Sequence, residues 1–344
     1  MKGDVEVSQA SGGQSIETRT ELTRPSSLLA KALGFREFTL FIIIIGFSLI
    51  LSFLTPHFLT RANITTTAIG LAADGIIAVG MTVALVLGGF DLSVGSVMAL
   101  SGVVAGSLYL GGMNIWLAAV IALGVGMLCG LINGYFIGHV GLNPFITTLG
   151  MMSIARGSSY VLTKGSPLSL AGISKSFKFL GGGRILGFPV MVLIYLVIVV
   201  IMDFAMRRSA AMRHVFYVGS NEKAAALSGI NVSKVKTGVF FLTGTLAAIT
   251  GILTLSRFTV AAPNAGMSAE MRAIAASVIG GASLRGGEGT VLGSVLGVIL
   301  LALVNNALVL LNVSVYWQDL ITGIILISAV LLDFLTHQSA YLTK

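Results

Sequence analysis

Apolar runs of about twenty residues recur along the whole chain, and this recurrence constrains the fold more than any other feature. A helix of that length crosses a bilayer core of roughly 30 Å. Only 10% of the 344 residues are charged, against about 25% in a soluble domain. The sequence therefore predicts an all-α polytopic membrane protein.

Hydropathy predicts about ten transmembrane helices, some of them broken or re-entrant. The eighth segment is short: twelve helical residues reach about 18 Å, so we expect a re-entrant or half-length element. The predicted segments are 38–55, 63–88, 95–111, 115–138, 143–163, 187–206, 237–257, 272–283, 290–311 and 317–335.

Polar stretches divide the chain into a membrane region and two tails. Residues 1–36 are predicted to be a disordered cytoplasmic tail, 37–336 the transmembrane domain, and 337–344 a cytoplasmic carboxyl-terminal tail. The first apolar segment lacks a small-residue cleavage pattern, which favours a retained signal anchor. A basic loop at 207–236 separates the sixth and seventh segments.

The basic residues concentrate on alternate loops of this topology. With the amino terminus inside, the cytoplasmic segments hold thirteen lysines and arginines and the outer loops hold seven. The positive-inside rule supports that orientation. Topology in membrane lipid therefore explains the formal net charge of +8 better than a nucleic-acid partner does.

Many of the 43 glycines occur at a spacing of four, as in Gly126, Gly130, Gly134 and Gly138. Small residues on one helix face let backbones approach closely in lipid. We expect a tight bundle that also contacts a second subunit. The one cysteine, Cys129, excludes an internal disulfide and is interpreted as a packing residue.

Signs of catalysis are missing from the sequence. The four histidines are scattered without metal-ligand spacing, and no H-E-x-x-H, C-x-x-C or G-x-S-x-G motif occurs. No Gly-Lys dipeptide occurs either, so the chain lacks a phosphate-binding Walker loop. We therefore expect no metal, no catalytic residues and no nucleotide bound by this chain.

A short helix is predicted inside the basic loop, in the stretch GSNEKAAALSGI that begins at Gly219. Asn221 is a good N-cap, Glu222 suits the positive end of the helix dipole, and Gly229 can take a left-handed C′ position. A helix of about two turns is too short to be stable alone. It needs a partner, which makes it a candidate docking element.

The stretch VLGGFDLSVGS, starting at Val86, is predicted to be a helix break. Gly88 and Gly89 can end one helix, and Asp91 or Ser93 can cap the next, which starts near Val94. Residues 278–292 (VIGGASLRGGEGTVL) match part of this pattern, either as an internal repeat or by chance.

Polar groups inside predicted spans are functional candidates because uncompensated charge in a bilayer is expensive. Asp74 either serves as a structural carboxylate or binds solute in a pathway. The structural reading of Arg156 is that it pairs with a carboxylate or lies near the outer turn of its helix; the other is a functional role. Asn305 and Asn306 either line the pathway or form interhelical hydrogen bonds. Four residues near predicted outer ends could contact a binding partner or be solvated: Glu270, Arg272, Gln318 and Asp319.

The loop pattern G-x-N-x-x-A-A-x-x-S-G-I resembles the coupling segment of permease subunits from bacterial ABC importers of the ribose/xylose/galactose class. Four further motifs fit that family: DLSVGS, AVGMT at 78–82, NPFI with TLG at 143–150, and AIAASVIGGASLRGGEG at 273–289. The resemblance spans about residues 40 to 335, and the long polar amino-terminal tail departs from it.

The resemblance implies a multi-pass subunit of the bacterial inner membrane, with both termini cytoplasmic, that imports a monosaccharide or similar polyol. Its partners would be an ABC ATPase carrying ATP and Mg²⁺, a periplasmic solute-binding protein, and a second permease, identical or paralogous. An ion-coupled secondary sugar transporter is the alternative. The docking segment would comprise Gly219, Asn221, Glu222, Ala224, Ala225, Ser228 and Gly229. The candidate pathway or helix-break residues are Asp74, Gly88, Gly89, Asp91, Ser93, Asn305 and Asn306.

Overall fold

The computed structural model describes residues 36–314, 316–317, 320–325, 327–328 and 330–331. The predicted tails at 1–36 and 337–344 lie outside the described residues, except for Arg36 at the start of the first helix. The predicted tenth span, 317–335, lies partly outside them, and its described residues are helical.

Helices account for most of the described chain, with two small antiparallel strand pairs. The helices are α1 Arg36–Leu54, α2 Arg61–Val86, α3 Val94–Leu110, α4 Ile115–Tyr135, α5 Pro144–Thr163, α6 Lys175–Gly182, α7 Val190–Arg208, α8 Ala210–Ser220, α9 Glu222–Leu227, α10 Val232–Phe258, α11 Ala269–Ile279 and α12 Val291–Leu310. A π-helical turn, Phe136–Val140, extends α4. The strands are β1 Leu168–Ser169, β2 Arg184–Ile185, β3 Phe188–Pro189 and β4 Val260–Ala261, paired β1 with β4 and β2 with β3.

Nine of the ten predicted segments coincide with a helix to within a few residues. Six described helices are long and apolar enough to cross a membrane: α1, α2, α4 with its π turn, α7, α10 and α12. The protein is therefore a multi-pass helical membrane protein, while the count of about ten spans is not confirmed.

Side-chain caps set several of the helix starts. Thr60 Oγ1 accepts from Asn63 N at the start of α2. Asn143 Oδ1 accepts from Phe145 N at 2.8 Å, with Pro144 at the first helical position of α5. Proline is favoured there because its missing N–H would have had no partner in the helix.

The glycine face of α4 packs against α10 of the same chain. A side chain at Gly130 would overlap the carbonyl oxygen of Phe240, and one at Gly134 would overlap the backbone of Thr237. This close backbone approach is the small-residue packing that the sequence predicts. In this structure the contact lies within one chain, between α4 and α10.

Irregular backbone connects α10 to the half-length helix α11. β4 pairs with β1, and residues 262–268 then run between helices. Arg156 of α5 donates Nη1 to the carbonyl oxygens of Pro263 at 2.7 Å and Ala265 at 2.8 Å. Non-helical backbone among membrane helices needs such partners. These contacts favour the structural reading of Arg156.

Candidate functional site

The predicted short helix is present as α9 and carries both predicted caps. Asn221 Oδ1 accepts from Ala224 N at 3.0 Å. At the other end Gly229 has φ +82° and donates to the Ala226 carbonyl, while Ile230 donates to the Ala225 carbonyl. This pair of hydrogen bonds is a Schellman motif.

Two faces of α9 differ sharply in exposure. Ala225 is buried against the hydrophobic core, so it anchors the helix. Leu227 is 91% exposed and is the large apolar residue on the outward face of α9, beside the exposed Ala224 and Ala226. Glu222 accepts from Lys236 Nζ at 2.7 Å, which ties α9 to the first turns of α10. The structure therefore presents Leu227, which the sequence reasoning missed, to any docking partner.

Glycines from three segments meet next to this short helix. Gly219 of α8 lies against the carbonyl oxygen of Val86, the last residue of α2, and a side chain there would overlap it. Gly287 N donates to the same oxygen at 2.8 Å. Gly286 lies against Gly88 and the Gly219 carbonyl. We call these four glycines, Gly88, Gly219, Gly286 and Gly287, the glycine junction.

The two sequence-related corners end their helices in the same way. Gly88, at φ +86°, precedes a hydrogen bond from Gly89 N to the Ala84 carbonyl. Gly281, at φ +97°, precedes the matching bond from Ala282 N to Ser277. Gly88 is thus structurally equivalent to Gly281. The sequence alignment instead pairs Gly88 with Gly280, one position earlier. Both corners lie together at the glycine junction.

Asp91 is fully buried at the corner between α2 and α3. Its carboxylate accepts from Ser93 N at 2.9 Å, from Ser93 Oγ, and from Thr243 Oγ1 of α10 at 2.6 Å. Asn133 Nδ2 of α4 donates to Ser93 Oγ at 3.1 Å. Burial raises the pKa of the Asp91 carboxyl, and these hydrogen bonds oppose the shift.

The helix after this corner begins at Val94, as predicted, with Ser93 as its N-cap residue. Ser93 makes no side-chain capping bond, and Asp91 binds the Ser93 backbone instead. Asp91 thus connects the corner to α10 through Thr243, while Asn133 connects Ser93 to α4. The corner is held by these hydrogen bonds.

Asp74, at the middle of α2, forms an ion pair with Arg272 in the first turn of α11. Arg272 Nη2 lies 3.1 Å from Asp74 Oδ1 and Nε lies 3.2 Å from Oδ2. The side chain of Asp74 is 35% exposed and that of Arg272 is 25% exposed. The pair is therefore bidentate but open on one side.

A polar stripe along α2 leads from this ion pair to one end of the helix. Asn63 and Asn306 of α12 exchange amide hydrogen bonds of 3.1 and 2.7 Å. A cavity of about 280 Å³ lies over the stripe. It is lined by Asn63, Thr66, Thr67, Gly70, Leu71, Asp74, Ala302, Asn305, Asn306 and Val309, and we call it the polar groove.

The predicted site residues thus fall into three places. Gly88 and Gly219 meet at the glycine junction, next to α9. Asp91 and Ser93 form the buried corner. Asp74, Asn305 and Asn306 lie at the polar groove. Gly89, beside the corner, packs against Pro144 of α5.

Comparison with known proteins identifies the class of transporter. Residues 62–330 match the family described as "Branched-chain amino acid transport system / permease component". The chain belongs to this permease family. Ribose import permease protein RbsC of Bacillus subtilis is 40% identical over 294 residues, which cover 86% of this chain and 90% of that protein.

Further relatives of the permease carry other sugar names. D-allose transport system permease protein AlsC of Escherichia coli K12 is 36% identical and covers 86% of this chain and 90% of its own. L-arabinose ABC transporter permease protein AraH of Azospirillum brasilense is 36% identical, covering 82% and 83%. No solved structure matches the permease.

Sequence reasoning missed the long-range partners in the permease: Arg272 for Asp74, and Thr243 and Asn133 for the corner. One signal for Arg272 was available. α2 and α11 end at the same junction, so the short length of α11, about 16 Å, places its first turn beside the middle of α2. Thr243 has no local signal, because its partner lies 152 residues away.

Proposed function

We propose that this chain is the transmembrane permease subunit of an ATP-driven ABC importer for a monosaccharide or similar polyol. The relatives named above for ribose, allose and arabinose support that solute class. The family description names branched-chain amino acids instead. The chemistry of the polar groove favours sugar, because amides, hydroxyls and one ion pair suit hydroxyl groups.

The polar groove is the observation that carries the proposal. Its polar residues lie on α2 and α12, two helices able to cross a membrane, and all of them except the buried Asn306 are at least partly exposed. Asn63, Asn306 and Asp74 already have partners in the chain, but lipid would satisfy none of their remaining donors and acceptors. A solute pathway shared with a second permease subunit satisfies them. Asp74 then accepts from sugar hydroxyls, while Arg272 and Asn305 flank it.

Coupling to ATP hydrolysis is assigned to α9 and the glycine junction. The exposed face of α9 docks on the ATPase, which binds ATP and Mg²⁺ itself. Movement of α8 and α9 reaches the end of α2 directly, because Gly219 touches Val86, and reaches α11 through the loop that follows it, because Gly219 also touches Gly286. α2 carries Asp74 and α11 carries Arg272, so a movement driven by the ATPase is transmitted to the polar groove.

The proposed placement is the bacterial inner membrane, with both termini and the segment 207–236 cytoplasmic. Gly88 and Gly286, from the two glycine corners, both lie against Gly219 of α8. This contact supports placing both corners and the segment 207–236 on the same side of the membrane. A periplasmic solute-binding protein delivers solute to the opposite end. The second permease can be a copy or a paralogue.

Reconstitution of the permease with its ATPase and binding protein in liposomes tests the proposal, with uptake of radiolabelled ribose, allose and arabinose as readout. We expect uptake of at least one sugar that requires internal ATP and persists when a protonophore collapses the proton gradient. Uptake by the chain alone, driven by an ion gradient, would instead identify a secondary transporter.

A further inference from the structure

An apolar groove lies between α8 and the first turns of α10, separate from the polar groove. Its volume is about 450 Å³, and its walls include Met212, Val215, Gly238, Phe241 and Leu242. Gly238 forms the floor, because a side chain there would meet nothing within 4 Å. We call this the α8–α10 groove.

Two basic side chains, His214 and Lys234, line this groove, and no carboxylate is among its lining residues. Arg208 and Arg213 are near the α8 wall in sequence but do not line the groove. The two carboxylates of segment 203–236 are already paired, Asp203 with Arg207 and Glu222 with Lys236. Within the described residues no carboxylate pairs with Lys234, Arg208 or Arg213. The rim therefore keeps a positive charge over an apolar cleft.

We infer that the α8–α10 groove binds an anionic diacyl phospholipid, with an acyl chain in the cleft and the phosphate beside Lys234. Its α10 wall belongs to a helix able to cross a membrane, so the cleft opens where acyl chains are present. Basic pockets at the cytoplasmic ends of membrane helices suit anionic headgroups. A soluble partner domain fits this cleft less well, because its walls are almost entirely apolar.

Occupancy of the groove acts on the element that carries the docking helix. α8 ends at Ser220, directly before α9, and contains Gly219 of the glycine junction. A lipid held between α8 and α10 would contact Met212 and Val215, which lie on the same face of α8 as Gly219. This role rests on the proposed function, whereas lipid binding itself does not.

Native mass spectrometry of the full-length purified chain tests binding, by titration with phosphatidylglycerol and, separately, phosphatidylcholine. We expect phosphatidylglycerol to bind more tightly. Lys234→Gln should weaken the binding of phosphatidylglycerol about fivefold, which corresponds to the loss of one cation near a phosphate. Gly238→Leu should weaken the binding of both lipids by about tenfold, because the leucine side chain fills the cleft.

Matched controls carry the same changes elsewhere. Gly124→Leu places leucine at another glycine with open space, and Lys178→Gln removes a cation from an exposed position on α6. Both should bind lipid as the unaltered chain does. If Lys234→Gln and Gly238→Leu also bind unchanged, the groove is not the lipid site. A photo-crosslinker at Phe241 that captures the ATPase or a second permease rather than lipid in the assembled transporter would also overturn the inference.

Discussion

At the scale of single residues, the hydrogen bonds of Asp91 predict that two substitutions at this position differ in severity. In Asp91→Asn, the amide can donate to Thr243 Oγ1, whose proton then goes to the Phe240 carbonyl at 2.8 Å. We expect a mild loss of transport. Asp91→Leu removes the acceptor of the buried Ser93 N–H and Oγ–H groups, at about 1–3 kcal/mol each, whereas Thr243 can still donate to Phe240. We expect a severe loss of both protein yield and transport.

Purified yield, melting temperature in detergent and sugar uptake measure these outcomes together. Thr243→Val is the matched change on α10, because it removes one of the three donors to Asp91. Its yield should lie between those of the two Asp91 variants. An Asp91→Leu protein with full yield but no transport would contradict a backbone-fixing role and favour direct contact with sugar.

The Asp74–Arg272 pair separates a structural role from a pathway role. Asp74→Ala or Arg272→Ala alone removes one charge of the ion pair and leaves the opposite charge among membrane helices, which is costly. The double variant removes both charges, so its melting temperature should exceed that of either single variant. Because we place Asp74 in the sugar pathway, uptake should stay low in all three.

Recovery of uptake in the double variant would show that the pair serves only structure. Arg156→Ala is the comparison for a cation that binds backbone carbonyls rather than a carboxylate. A second change at Asp74 should not restore the stability of that variant. Melting temperature and uptake are measured on the same preparations.

Whether a residue contact could be predicted from the sequence depends on how far apart its two residues lie along the chain. The caps of α9 were predictable, because Asn221, Ala224 and Gly229 are close in sequence and their chemistry is local. The partners of Asp91 and Asp74 were not, because they join positions 152 and 198 residues apart. Burial of Ala225 was also missed, since composition does not reveal which face of a short helix packs inward.

At the scale of elements, the exposed face of α9 predicts where the ATPase binds. Leu227→Glu should abolish transport and stimulation of the ATPase while leaving membrane insertion and melting temperature unchanged. The reason is that Leu227 is exposed and supports no core contact. ATPase pull-down with the full-length chain measures the loss directly.

Ala225→Glu provides the contrast on the same helix, because it puts a charge into the core and should lower the melting temperature. Equal ATPase binding by Leu227→Glu and the unaltered chain would remove α9 from the interface.

The glycine junction predicts an uncoupled variant with intact partner binding. Gly219→Ala adds a methyl group that overlaps the Val86 carbonyl, so α8 must move away from α2. Such overpacking costs about 1–3 kcal/mol. We expect less sugar moved per ATP hydrolysed in reconstituted liposomes.

Gly150→Ala is the matched control, since a side chain there meets nothing within 4 Å. Unchanged stoichiometry in Gly219→Ala would show that movement does not pass through the junction.

At the scale of the whole molecule, hydropathy predicted about ten spans, and nine of them coincide with a helix because each span is a local property of about twenty residues. It did not predict how they pack. The α4 glycine face, for example, packs against α10 of the same chain. Small-residue spacing identifies a close backbone contact without identifying its partner.

The polar groove is therefore the better candidate for contact with a second permease. Its partly exposed polar side chains need water, solute or protein beside them, and a second subunit facing α2 would enclose a wet pathway. Gly70 lines this groove and has open space around its Cα atom. A cysteine at Gly70 should therefore fold normally and face its counterpart across the interface.

In a Cys129→Ser background, Gly70→Cys should give covalent dimers with a bifunctional maleimide in native membranes. Gly124→Cys is the matched control, an exposed glycine with equally open space on α4, and should remain monomeric. Denaturing gels measure the dimer fraction. Added solute or ATP should change cross-linking at Gly70, because the pathway between the subunits alternates. Dimers at Gly124 and none at Gly70 would place the second permease on the α4 side and leave the polar groove without its proposed wall.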